Sequence, residues 1–73
     1  MKVSVWTVQG QPSFGDGTSG PFRSCLLLLP LDAEGRQVID AFNNLASRAD
    51  GVKYTHATVD EIVYVGWGHV PGA

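Results

Sequence analysis

The chain holds a single cysteine, Cys25, so no disulfide can form within it, and a fold of this size must hold without a covalent staple. Charge is scarce, at 16% of residues. The five cations, Lys2, Arg23, Arg36, Arg48 and Lys53, are dispersed, and the formal net charge is −2. A nucleic-acid partner calls for a basic patch, so that class is excluded. No stretch approaches the roughly 18 apolar residues of a membrane span, which excludes a membrane partner. Lys2 is followed by alternating residue types and not by the apolar core of a signal peptide, so with one unpaired thiol the expected compartment is a reducing cytoplasm. Histidines number two, and no acid, base and nucleophile set stands out. We therefore expect no catalytic residues, no metal and no cofactor, which leaves the enzyme question open and favours a protein that is not one.

What remains is enough to fold. Hydrophobic types make up 44% of the 73 residues, and Val, Leu, Ile and Phe alone account for twenty of them. That share exceeds the roughly 20% below which disorder is expected. Residues 1–73 read as one small domain, whose core alone supplies only about 3 to 5 kcal/mol.

Residues 2 to 9 are rich in β-branched and aromatic types and predict a strand, with Val3 and Val5 on one face and Trp6 and Val8 on the other. Residues 10 to 21 hold four glycines and two prolines and predict a Gly-rich loop. The four leucines within 22 to 29, bracketed by Pro21 and Pro30, predict a second strand buried on both faces. Val38, Ile39, Phe42, Leu45, Ala46 and Ala49 recur at helical spacing. They predict a helix over 32 to 50, capped by Asp32 and stopped at Gly51. Residues 52 to 58 and 62 to 70 predict a hairpin turning near Asp60. The expected fold is α+β, a four-stranded, mainly antiparallel sheet with one helix packed on one face, in the order β-β-α-β-β.

Such a fold has more apolar surface than covers for it. Three of the four expected strands are apolar on both sides, yet one helix shields one face. The other would carry an exposed apolar patch of a size uncommon in monomers. A second copy, a different partner or ligand, or the chain itself could cover it. A homodimer is the expectation, because two-fold pairs are the commonest oligomers and a small core gains most from one.

Several motifs bear on a site. Gly15-Asp16-Gly17-Thr18-Ser19-Gly20 has the letters G-x-G-x-x-G, but it leads into Pro21 and a strand, so no helix start faces an anion. His56 and His69 lie on the expected hairpin, with Asp60 and Glu61 too far along it to complete a metal site. Cys25 sits among leucines and reads as a small apolar core group. Gly66-Trp67-Gly68 marks a bulge or bend, with Trp67 filling the core or an interface, or stacking on a ligand with Trp6 and Tyr54 nearby. The candidate ligand or interface residues are Trp6, Phe14, Tyr64, Trp67 and His69.

Leu29-Pro30-Leu31-Asp32-Ala33-Glu34-Gly35-Arg36-Gln37-Val38-Ile39 resembles a stretch in the carboxy-terminal domain of the Deltex ubiquitin ligases, where a strand leads through a cap into a helix. The resemblance implies a module that aids ubiquitin transfer or binds ADP-ribose. The family's arginine pair before Leu-Pro is represented only by Arg23, out of register, and its closing Trp and His-His-Lys-Thr motif by Trp67 and His69 alone, so its site residues do not carry over. The leading expectation is a self-associating binding or interaction module. The alternative is a small-molecule-binding protein or simple enzyme, with a pocket between the sheet and loop 10–21 lined by Trp6, Phe14, Trp67 and His69.

Overall fold

The computed structural model describes residues 1–71. Strand β1 (Lys2–Ser13) is followed by β2 (Arg23–Pro30), helix α1 (Gly35–Asp50) and β3 (His56–His69). The sheet has three strands in the order β2-β1-β3, and both outer strands run antiparallel to β1. β2 and β3 are therefore parallel to each other, joined by α1 across the central strand.

This corrects the expected four strands: the order is β-β-α-β. Val52 to Thr55 belong to the connection after the helix, and the stretch taken for a hairpin is one strand of 14 residues. The reason lies at Asp60. Asp60 is a turn-forming type, but Val59-Asp60-Glu61 offers no glycine or proline beside it, and β3 pairs with β1 on both sides of Asp60. Gly10 pairs with Val59 and Gln9 with Glu61, which leaves Asp60 as the extra residue of a β-bulge. A second bulge sits where Val5 pairs with Gly66 and Trp6 with Tyr64, leaving Val65 over. Gly66 there takes φ 148°, a conformation that L side chains rarely adopt.

β1 also runs beyond its expected end, through Gly10 to Ser13, so the Gly-rich loop is shorter than 10–21. Two features permit this. At Gly10 a Cβ would lie 2.5 Å from the Thr58 carbonyl oxygen, so only glycine allows β3 this close. Pro12 is harmless because its carbonyl accepts from the Gly20 amide (2.8 Å), away from β3, and its missing N–H lies on that same side. In the loop that follows, Gly15 and Gly17 have positive φ, and Asp16 accepts from the amide (3.0 Å) and hydroxyl of Thr18. These bonds hold the Asp16 carboxyl below its ordinary value.

The helix begins three residues later than expected. Asp32 lies in a turn in which the Ala33 amide donates to the Pro30 carbonyl (3.0 Å), and the N-cap is Glu34, whose amide donates to Gln37 Oε1 (2.8 Å). Gly51 ends the helix at φ 73°, its amide donating to the Ser47 carbonyl (2.8 Å). Val38 and Phe42 are fully buried and close over Val8 of β1 and Leu27 of β2. Each is worth about 1.5 to 3 kcal/mol of apolar burial. Trp6, Cys25, Leu29, Ala57, Val59 and Ile62 pack around this centre.

Polar contacts fix the other end of the helix. Asp50 accepts from Arg23 and from the Tyr54 hydroxyl, and the Tyr54 amide donates to Ser47 Oγ (3.0 Å). Phe14 packs on the Tyr54 ring at 4.9 Å, which ties the β1–β2 loop to the same cluster.

Two glycines make opposite predictions. Gly10→Ala places a methyl against backbone and should cost about 1 to 3 kcal/mol, whereas the Cβ of Gly35→Ala meets nothing within 4 Å and should add about 0.4 to 1 kcal/mol. Urea unfolding of both variants checks the signs.

Candidate functional site

Cross-strand register assigns each side chain to a face. Ser4, Trp6 and Val8 of β1 share the helix side with Cys25, Leu27 and Leu29 of β2 and with Ile62, Tyr64 and Trp67 of β3. The opposite face carries Val3, Val5, Thr7 and Gln9 of β1, Leu26 and Leu28 of β2, and Thr58, Glu61 and Val63 of β3. No element of the described chain lies over this second face. Its half nearer Lys2 is apolar, and the half nearer Ser13, with Gln9, Gln11, Ser24, Thr58 and Glu61, is polar. The uncovered apolar surface expected from the sequence is therefore half a face.

Within that half, burial is uneven for a local reason. Val3 is only 5% exposed and Val5 is half-buried, because they pair with Gly68 and Gly66, which have no side chains to hold them off. A Cβ at Gly68 would lie 3.3 Å from Val5 Cγ2. Leu26 and Leu28, by contrast, are 64% and 55% exposed. They stand on an edge strand with nothing beyond them. A shallow groove of about 280 Å³ between Val3, Leu28, Pro30 and Leu31 continues the apolar surface to the end of the sheet.

The residues expected to form a site divide into two groups. Trp6, Tyr64, Trp67 and His69 come to one corner of the helix side, beyond the cover of α1. The Trp6 and Tyr64 rings meet edge to face at 5.1 Å, and Trp6 Nε1 donates to Ser4 Oγ (2.8 Å). Trp67 pairs with Ser4, and the Lys2 ammonium lies 5.1 Å from the centre of its ring. The bulge at Val65 is what places Tyr64 and Trp67 on one face despite their odd spacing. His69 lies beside the amino terminus, with Nε2 3.3 Å from the Met1 nitrogen. Phe14 and Tyr54 are at the far end of β1, about 30 Å away at 3.3 Å per strand residue, so no single pocket gathers Trp6, Phe14, Trp67 and His69. Trp67 is neither in the core nor on the open face, and 63% of it is exposed.

His56 and His69 occupy opposite ends of β3. Among the described residues no group of three or more His, Cys, Asp or Glu is placed to hold a metal ion, and no helix is long and apolar enough to cross a membrane. Leu26 and Leu28, which are not among the sequence-based candidates, are legible as alternate positions of the leucine run once β2 is placed at an edge.

No family model matches the chain, and searches of curated proteins and of solved structures returned no match. The surface must therefore be read from its own chemistry.

Because Trp67 touches solvent on the side away from the leucines, Trp67→Ala should leave the oligomeric state unchanged and alter stability by no more than about 1 kcal/mol. Light scattering and urea unfolding of the variant check both.

Proposed function

We propose that this chain is a self-associating interaction module, in which a second copy covers the leucine-bearing side of the sheet. The observation that carries this reading is the exposure of Leu26 and Leu28 next to Val5 and Val63 on a face that the single helix does not reach. Covering a leucine yields about 1.5 to 3 kcal/mol, a large gain for a domain of this size. A two-fold pair supplies matching apolar patches without another gene product. A reducing cytoplasm suits the module, since its one thiol, Cys25, packs half-buried against the core.

Light scattering across roughly 1 µM to 1 mM tests this, a range set by the affinity of a small interface. The expected result is a monomer–dimer transition that Leu28→Glu moves to higher concentration by about 100-fold or more while far-UV dichroism is retained. A wild-type chain that stays monomeric throughout overturns the proposal.

A further inference from the structure

The sheet has two open edges, and they differ. β3 carries features that stop an edge from pairing: bulges at Asp60 and Val65, and the charges of Asp60 and Glu61. β2 is unguarded over most of its length. Ser24 to Leu31 includes no charged side chain, and the register with β1 runs unbroken from Val3↔Pro30 to Gly10↔Arg23. The Pro12 carbonyl faces the β2 side, so even-numbered residues of β1 aim their backbone groups at β2. Their partners Cys25, Leu27 and Leu29 aim back, which leaves Ser24, Leu26 and Leu28 with amides and carbonyls directed away from the sheet. Pro30, the next outward position, has no N–H to offer and closes the edge at that end.

α1 reaches past this edge. Ala41, Asn44, Leu45 and Arg48 recur at helical spacing, as a second stripe beside the buried one of Val38, Phe42 and Ala46. They form one wall of a groove of about 350 Å³ whose other wall is Leu26, Leu27 and Leu28. Because it meets Leu27 from the helix side and Leu26 and Leu28 from the open face, the groove lies across the edge itself, where a fourth strand would run. Leu45 overhangs it, 40% exposed. Arg48 is the one charged side chain along the groove; it is exposed, and among the described residues it is in no ion pair. The contact of Arg23 with Asp50 sets the end of α1 beside the start of β2, so Arg48 stands toward the Ser24 end of the groove.

We propose that this edge binds an extended segment of another protein, which adds as a fourth strand antiparallel to β2, the more stable of the two pairings. Alternate apolar residues of the segment fill the groove between Leu27 and Leu45, and an acidic residue at its far end meets Arg48. Backbone pairing supplies the affinity of such a strand and the alternate side chains its selectivity. Arg48 decides the occupant. A second β2 carries no acidic residue to offer it, so charge complementarity selects a foreign, acidic strand over another copy of this chain. The added strand lies in the plane of the sheet and leaves the open face free, so this site is independent of the self-association proposed above.

Titration of the full chain with a peptide of about seven residues, Thr-Val-Thr-Val-Thr-Glu-Thr blocked at both ends, tests it. Binding followed by NMR should show a Kd of roughly 10 µM to 1 mM and slow the exchange of the Leu26 and Leu28 amides, with no change along β3. N-methylation of the two inner threonines, whose amides face β2 in this register, should abolish binding, and N-methylation of the valines should not. A peptide with lysine in place of glutamate should bind the wild-type chain roughly tenfold more weakly, and Arg48→Glu should reverse the preference, with both effects fading in high salt. Leu26 and Leu28 amides that do not respond up to about 1 mM peptide, indifference to which amides are methylated, or the absence of a charge preference each overturn the proposal. So does concentration-dependent protection of the amides of residues 26 and 28 without peptide in Leu28→Glu, where pairing through the open face is lost, because a second copy then holds the edge.

Discussion

The packing of Val38 and Phe42 on Val8 and Leu27 is the contact on which the rest of the molecule depends. It draws on β1, β2 and α1 at once, and Val59 and Ile62 of β3 close it from the fourth side. With 73 residues and no disulfide, little else holds the layers together. The helix must lie where it covers all three strands, and it is then committed. Its stripe is used up on one face, and Leu45, which belongs to the stripe by spacing, is left over the β2 edge, 40% exposed. Among the described residues, no element covers the apolar side chains on the other face.

The second link is the polar cluster at the far end of the helix. Arg23 begins β2, Asp50 ends α1, and Tyr54 leads into β3, so one carboxylate ties the starts of both outer strands to the helix terminus. Phe14 on the Tyr54 ring brings in the β1–β2 loop. The Gly-rich stretch is consequently a structural turn. Gly20 has no Cβ because the Tyr54 hydroxyl would lie 2.5 Å from it, and the G-x-G-x-x-G spacing reflects this packing and the Asp16 turn.

Much of this was legible in the sequence. The alternation of Val3 and Val5 against Trp6 and Val8 gave the faces of β1, the 38–42–46 spacing gave the buried side of α1, and Gly51 gave its stop. What misled was local composition. Glycine and proline at 10 to 12 read as loop, although Gly10 is needed for close approach to Thr58 and Pro12 faces a side with no strand ladder to interrupt. Val59-Asp60-Glu61 reads as a turn because it separates two β-rich runs, 52 to 58 and 62 to 70, and only the length of β1 shows why one strand persists through it. The aromatic residues drew attention as the site, although ring size says nothing about which face a residue occupies.

The shared corner of Tyr64 and Trp67 has a single physical origin. Strand alternation places Tyr64 and Trp67 on opposite faces, and the bulge at Val65 brings them to the same one. Without it, the Trp67 indole would project among Val3, Val5 and Leu28. With it, glycines 66 and 68 take those positions, the two valines settle over them, and the tryptophan is held at the opposite corner by Lys2. The bulge thus clears the bulkiest side chain from the open face and leaves a low surface whose relief comes from Leu26 and Leu28. It also breaks the ladder along β3, so one irregularity both flattens the apolar face and spoils the outer edge for pairing. Removing Trp67 from the face and interrupting β3 leave β2, whose ladder with β1 is unbroken from Arg23 to Pro30, as the more regular of the two outer strands and the one that carries the exposed leucines.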